Sequence, residues 1–122
     1  MPTNDWWSSL FAAIDAKDTA RFLGFLTDDA EFRFGSAPAS HGHAAIGAGV
    51  SGFFGMIRGC RHRMLREWAD GDTAVCQGEV TYTRLDGSTI TLPFVNVFEL
   101  RGDKVSRYLI YNDLGPLFAP PA

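Results

Sequence analysis

TAVCQGEVTYTRLDGSTITLPFVNVFELRGDKVSRYLIYN, residues 73–112, decides the fold. It holds three long runs of β-type residues, broken at Asp86-Gly87 and around Arg101-Gly102-Asp103. A further Asp70-Gly71 ties in the run 60–69 upstream. Asp-Gly between alternating runs signals a hairpin, because the central residues of a tight turn need φ > 0. The second half is therefore predicted to be a four-stranded antiparallel meander.

The turns also predict which residues share a face, since cross-strand partners point the same way and residues alternate along a strand. Asp70-Gly71 and Asp86-Gly87 are taken as two-residue loops and Arg101-Gly102-Asp103 as the third turn. His62 then lies opposite Glu79 and Met64 opposite Gln77. Across the next turn Glu79 faces Phe94, Gln77 faces Asn96 and Thr81 faces Leu92. Across the last, Asn96 faces Tyr108, Phe94 faces Ile110 and Leu92 faces Asn112. One face carries these residues and Phe98. The other carries Cys76, Val80, Tyr82, Val95, Val97, Leu109, Tyr111 and Asp113. A slip of one residue at any turn flips a strand.

Upstream, Thr3, Asn4 and Asp5 offer N-caps, and Trp7, Leu10, Phe11 and Ile14 form an apolar stripe at helical spacing, predicting a helix over 3–17. Asp18 can cap a second short helix that contains Phe22, Leu23, Phe25 and Leu26 and is broken at Thr27-Asp28-Asp29. A short strand, 30–34, alternates Phe32 and Phe34 with Glu31 and Arg33; a loop follows over 35–40. Residues 43–57 predict a third helix. Its Gly47, Gly49, Gly52 and Gly55 each cost about 1 kcal/mol relative to Ala, so close packing against the sheet is expected there. Leu114 to Phe118 should pack as an apolar tail. Helices segregated from an antiparallel sheet make an α+β protein, and 122 residues fit a single domain.

Hydrophobic residues make up 46%, charged residues 20%, and the net charge is −3. That balance gives no reason to expect nucleic acid or an anionic membrane as partner. No apolar run reaches transmembrane length, and MPTNDWWSSL lacks the pattern of a signal peptide. Cys60 and Cys76 read as reduced thiols of a cytoplasmic protein. The His41-Gly42-His43 pair has no third ligand at clear spacing, so no metal or cofactor is expected. The G-x-G-x-x-G match at residues 47–52 lies inside a helix rather than after a strand, which argues against a dinucleotide site. The apolar outer sheet face (Val80, Tyr82, Val95, Val97, Leu109, Tyr111) would be a large exposed patch on a monomer, so a homodimer through it is expected.

FLTDDAEFRFG at 25–35, HGHAAI at 41–46, TLPFVNVFEL at 91–100 and YLIYNDLGPLF at 108–118, with this helix order, resemble the nuclear transport factor 2-like superfamily in its SnoaL-like, polyketide cyclase-like branch. The likeness covers nearly the whole chain. It implies a cone-shaped α+β barrel, three N-terminal helices packed in a strongly curved antiparallel sheet around a deep hydrophobic pocket, and dimers through the outer sheet face. Members include cyclases, isomerases, epoxide hydrolases, dehydratases and plain binding domains. The Arg, Asp and second Asp of limonene epoxide hydrolase-like enzymes match Gln77, Glu79 and Ile110 here, and the base of ketosteroid isomerase-like enzymes matches Phe34. One acid of those sets is kept.

Glu79 is thus the expected base. A carboxylate stripped of water among Phe34, Leu92, Phe94 and Ile110 can take a proton α to a carbonyl, with His62 holding it or relaying the proton. Gln77, Asn96 and Asn112 could donate hydrogen bonds to an enolate oxygen. Phe32, Phe34, Met64, Leu92, Phe94, Tyr108 and Ile110 complete the expected binding surface for a hydrophobic, carbonyl-bearing small molecule. Isomerisation, cyclisation or dehydration would fit; a non-catalytic pocket for an apolar ligand is the other reading. As the bland alternative, Glu79 is paired with His62 or a nearby Arg and only orders the sheet.

Overall fold

The computed structural model describes residues 2–119. The Thr3 hydroxyl accepts from the Trp6 N–H (3.1 Å) and starts α1, Asn4–Asp15. Trp7, Leu10 and Phe11 face inward from it. Lys17, in the left-handed region at φ 55°, reverses the chain. Its ammonium donates to the carbonyls of Phe54 (3.4 Å) and Ile57 (3.1 Å), which ties the end of α1 to the end of a later helix. Asp18 caps the short α2, Thr19–Leu23, by accepting from the Arg21 N–H.

The chain then enters β1, Leu26–Phe34, four residues earlier than its alternation suggests. The cause is tertiary: Val105 N–H donates to Phe25 O at 2.8 Å, and Leu26 pairs with Val105, so the sheet takes backbone groups that a helix would otherwise use. A two-residue β2, Ser40–His41, pairs with β1. Helix α3, Gly42–Phe54, lies on β1 and α2. The meander follows as β3 (Gly59–Asp70), β4 (Thr73–Thr83), β5 (Thr89–Arg101) and β6 (Lys104–Tyr111). The short helix α4, Gly115–Phe118, forms in the expected tail and buries Leu117.

The six strands make one curved, unclosed sheet in the order β2-β1-β6-β5-β4-β3, the cone of the nuclear transport factor 2-like fold. One pair departs from the expected antiparallel pattern: β1 runs parallel to β6, although β2, α3 and the first three strands of the meander lie between them in the chain. The helices fill the concave face. Among the described residues no helix is long and apolar enough to cross a membrane.

The meander exists, but its registers differ from the expected ones. The first hairpin pairs Asp70 with Thr73, so its loop is Gly71-Asp72. A bulge then inserts Leu65 as one extra residue between Met64 and Arg66. The second hairpin pairs Thr83 with Thr89, and Arg84 N–H donates to Ser88 O, which leaves Leu85-Asp86-Gly87 as a three-residue loop. Both changes shift parity by one, so β4 is turned over. Ala74, Cys76, Gly78, Val80 and Tyr82 point into the core, while Gln77 and Glu79 point out. The third hairpin slides by two residues, through a Gly102-Asp103 loop and a bulge near Glu99. An even slip preserves the face, so Phe94, Asn96, Phe98, Tyr108 and Ile110 are inward as expected.

The outer face is ruled by cross-strand rows. Trp68, Val75, Val97 and Leu109 form one row; Arg66, Gln77, Val95 and Tyr111 the next; Arg63, Glu79 and Pro93 a third. The close packing expected of the α3 glycines against the sheet is found instead against α2, where a Cβ at Gly47 would come within 3.1 Å of Leu23 Cδ1. A Cβ at Gly49 or Gly52 would meet nothing within 4 Å.

Candidate functional site

The concave face encloses a cavity of about 350 Å³. Its wall is aromatic: Phe22, Phe32, Phe34, Phe53, Phe54, Tyr82, Phe94 and Tyr108 all reach it. Ala37, Pro38 and Ser40, between β1 and α3, line it as well. Three polar groups enter this apolar space from the sheet. Asn96 is 2% exposed, and its Oδ1 has no hydrogen-bond partner among the described residues. Asn112 makes no well-formed hydrogen bond through either amide atom among the described residues, and its amide lies near the Tyr82 hydroxyl. Buried polar atoms are nearly always paired, and an orphan costs about 1–3 kcal/mol. Two such side chains in one cavity wall are suited to a ligand that offers both a donor and an acceptor.

The third group is His62, on β3. Its ring Nδ1 lies 2.6 Å from Asp15 Oδ1, and its backbone N–H donates to Asp15 Oδ2 at 3.0 Å. Asp15 is the last residue of α1, held over the start of β3 by the Lys17 tie. Phe11 stacks on the imidazole at 4.8 Å and Phe94 meets it edge-on at 5.3 Å. The ring is therefore fixed in place and in plane. A carboxylate accepting from Nδ1–H leaves the Nε2 lone pair free, the arrangement of a general base. No described residue makes a hydrogen bond to Nε2.

Cys60 lines the same wall, with its Sγ 3.7 Å from Asp15 Oδ1 and 3.8 Å from Ile14 O. Burial pushes its thiol up to about 12, and the charge of Asp15 adds to this. That rules out a thiolate nucleophile at neutral pH in the unliganded pocket. Burial raises the phenols of Tyr82 and Tyr108 as well, so both are hydroxyl donors there.

Set against expectation, His62, Phe32, Phe34, Phe94, Asn96, Tyr108, Ile110 and Asn112 line the cavity together. Four residues do not. Glu79 and Gln77 lie on the opposite sheet face, because the Leu65 bulge and the three-residue loop turn β4 over. His62 therefore pairs across the strands with Val80, and its carboxylate partner is Asp15. Met64 faces inward but packs against the core beside the pocket, and Leu92 is buried outside the lining. Asp15 went unnoticed in the sequence, although its signal was present. It follows Phe11 by four residues, which puts an acid on the helix face that is otherwise apolar.

The match of residues 7–108 to the SnoaL-like domain model settles the family. The chain belongs to the SnoaL-like domain family. No curated protein matches it. Solved structures share the fold at low identity. TerC co-crystallised with polyporic acid is 23% identical over 96% of this chain and 95% of its own, with a TM-score of 0.81. A SnoaL-like polyketide cyclase, so described provisionally, from Jannaschia sp. CCS1 is 20% identical over 94% and 90%, with a TM-score of 0.80. An epoxide hydrolase of the limonene type from M. tuberculosis is 16% identical over 92% and 83%, with a TM-score of 0.76.

Proposed function

We propose that this SnoaL-like protein binds an apolar, carbonyl-bearing small molecule and moves a proton α to that carbonyl, with His62 as base and Asp15 as the residue that positions it. The observation that carries the reading is the 2.6 Å Asp15–His62 contact in the wall of a cavity that also holds orphaned asparagine amides. Asp15 keeps the proton on Nδ1. Nε2 takes the substrate proton, and the Asn112 amide N–H donates to the enolate oxygen. Asn96 Oδ1 accepts from a hydroxyl of the substrate. A positioned base of this kind contributes about 10²–10⁴-fold. Isomerisation, cyclisation and dehydration all begin with this step.

The test is deuterium exchange at the α carbons of aromatic ketones that bear an α C–H, in heavy water, followed by proton NMR; polyporic acid is the first ligand to try for binding. His62→Gln and Asp15→Asn should each slow exchange by about 10²-fold or more while ligand affinity is kept. Exchange that is equal in all three proteins refutes the reading. Saturable binding with no exchange in any of them favours a non-catalytic ligand carrier.

For the assembly we propose a homodimer through the outer sheet face. Its support is the row Trp68, Val75, Val97 and Leu109, apolar across four strands, with Trp68 and Tyr111 about half exposed on one chain. A light-scattering mass of one chain at micromolar concentration would count against it. Free thiols at both cysteines support a reducing, cytoplasmic setting, which fractionation of the native host would test.

A further inference from the structure

Asp15, Cys60 and His62 also form a group that proton transfer does not use in full. A carboxylate oxygen, the thiol sulfur and an imidazole nitrogen, one from each, all lie within 4.8 Å of one another. The three are only partly exposed, and Cys60 and His62 front the cavity. They come from two rigid elements, the end of α1 and the first residues of β3. We infer that these three side chains form a binding site for one thiophilic divalent cation, Zn²⁺ or Co²⁺ in chemical class, with its fourth position open to the cavity. The inference goes beyond the proton-transfer reading and does not depend on it.

Ligand chemistry and spacing support the inference. One thiolate, one imidazole and one carboxylate are the donors zinc takes, and three protein ligands with an open fourth position are the pattern of reactive rather than structural sites. Tetrahedral bonds of about 2.0–2.3 Å place ligand atoms about 3.4 Å apart. The 3.7 Å between Cys60 Sγ and Asp15 Oδ1 already suits this, while the 2.6 Å between Asp15 and His62 must open by nearly an ångström. A small rotation of the Asp15 carboxylate, at the end of its helix, can supply that. The C-terminal end of α1 carries the negative end of the helix dipole, which favours a cation there. The Cys60 thiol has only long contacts, so coordination forfeits no strong hydrogen bond. Against it stands the Lys17 ammonium, whose charge reaches Cys60 but whose donors are turned away to the carbonyls of Phe54 and Ile57.

The proton inventory is definite. The thiol loses one proton to solvent as the metal–sulfur bond forms. The imidazole proton moves from Nδ1 to Nε2 as Nδ1 takes the metal. The metal-loaded protein then has no free lone pair on His62, so a cation and the proton-transfer dyad exclude each other.

Tag-free protein in chelator-washed buffer is titrated with Co²⁺. The expected result is a thiolate-to-cobalt charge-transfer band in the near ultraviolet that saturates at one Co²⁺ per chain and is bleached by Zn²⁺. The band should vanish in Cys60→Ser, persist in Cys76→Ser, and require at least tenfold more Co²⁺ in Asp15→Asn. Circular dichroism checks that each variant is folded. If Cys60→Ser does not fold, cadmium-113 NMR of the parent protein reports directly whether sulfur is a ligand. A cobalt spectrum that stays that of the hydrated ion, a band that survives Cys60→Ser, or a cadmium shift without sulfur overturns the inference. None of these readouts needs turnover, so the metal site and the proton-transfer reading can fail separately.

Discussion

Gly78→Ala tests the β4 register that turns Gly78 inward and Gln77 and Glu79 out of the cavity. Gly78 is on β4, opposite Met64 and next to the bulge, with the Phe94 ring lying over it. A Cβ built there would sit 2.9 Å from Phe94 Cζ and 3.0 Å from Cε1, and closer still to the Arg63 carbonyl oxygen. Carbon atoms in contact prefer about 3.5–4.0 Å, so the ring must retreat by more than half an ångström. It cannot swing freely, because Phe11 and His62 pack against it at 5.9 and 5.3 Å. The Arg63 carbonyl belongs to the β3–β4 ladder and yields only if the strands part. Overpacking of this kind costs about 1–3 kcal/mol, against a gain of about 0.4–1 kcal/mol from stiffening the unfolded chain. The net expectation is a loss of about 1 kcal/mol. With a urea m-value of about 1–2 kcal/mol/M the midpoint falls by about 0.5–1 M. Urea melts followed by tryptophan fluorescence read this directly. If Gly78→Ala is as stable as its parent, Gly78 does not face inward; Gln77 and Glu79 then do, and Asp15–His62 loses its claim to be the acid–base pair.

Gly52→Ala, on the open side of α3, should raise stability by up to about 1 kcal/mol in the same melts, since it gains helix propensity and meets nothing; a loss would mean α3 packs more tightly than its surroundings show. Burial raises both Cys60 and Cys76 to about 12, so the folded chain keeps thiol protons that the unfolded chain releases from about pH 8.5 upward. The thiol contribution is thus complete below that pH and is lost as pH climbs toward 12; a Cys60→Ala/Cys76→Ala protein should show a shallower alkaline fall in urea midpoint, and identical slopes would refute it. Leu109→Arg, at the β6 end of the outer apolar row, should halve the light-scattering mass of the proposed dimer without changing circular dichroism, whereas an unchanged mass would count against that interface.

The sequence announced the meander because its three turns carry their own chemistry in Asp-Gly and Gly-Asp pairs. It did not announce how many residues each loop holds or where a bulge falls, and parity depends on both. Leu65 shows why. A bulge is made by the geometry of two strands together, and nothing in Met64-Leu65-Arg66 marks it. The third hairpin was misread by two residues and still gave the correct face, so Asn96, Tyr108 and Ile110 were legible as cavity residues. Asp15 was hidden for another reason. Its meaning comes from a partner 47 residues away, and only the packed α1–β3 corner brings the two together. The parallel β1–β6 pair is equally non-local, since Glu31 and Arg107 meet across 76 residues.

Those separations also order events in time. Each hairpin of the meander closes a loop of only two or three residues, whereas seating α1 over β3 and zipping β1 onto β6 must overcome far larger chain entropy. The sheet's central ribbon can therefore form on its own while Asp15 and His62 remain strangers. The dyad appears when the N-terminal third docks, at the close of folding, and it dissolves first if that third lifts away. Amide exchange in α1 running ahead of exchange in β4 and β5 would be the trace of that hierarchy, while uniform protection would mean the corner and the ribbon open as one.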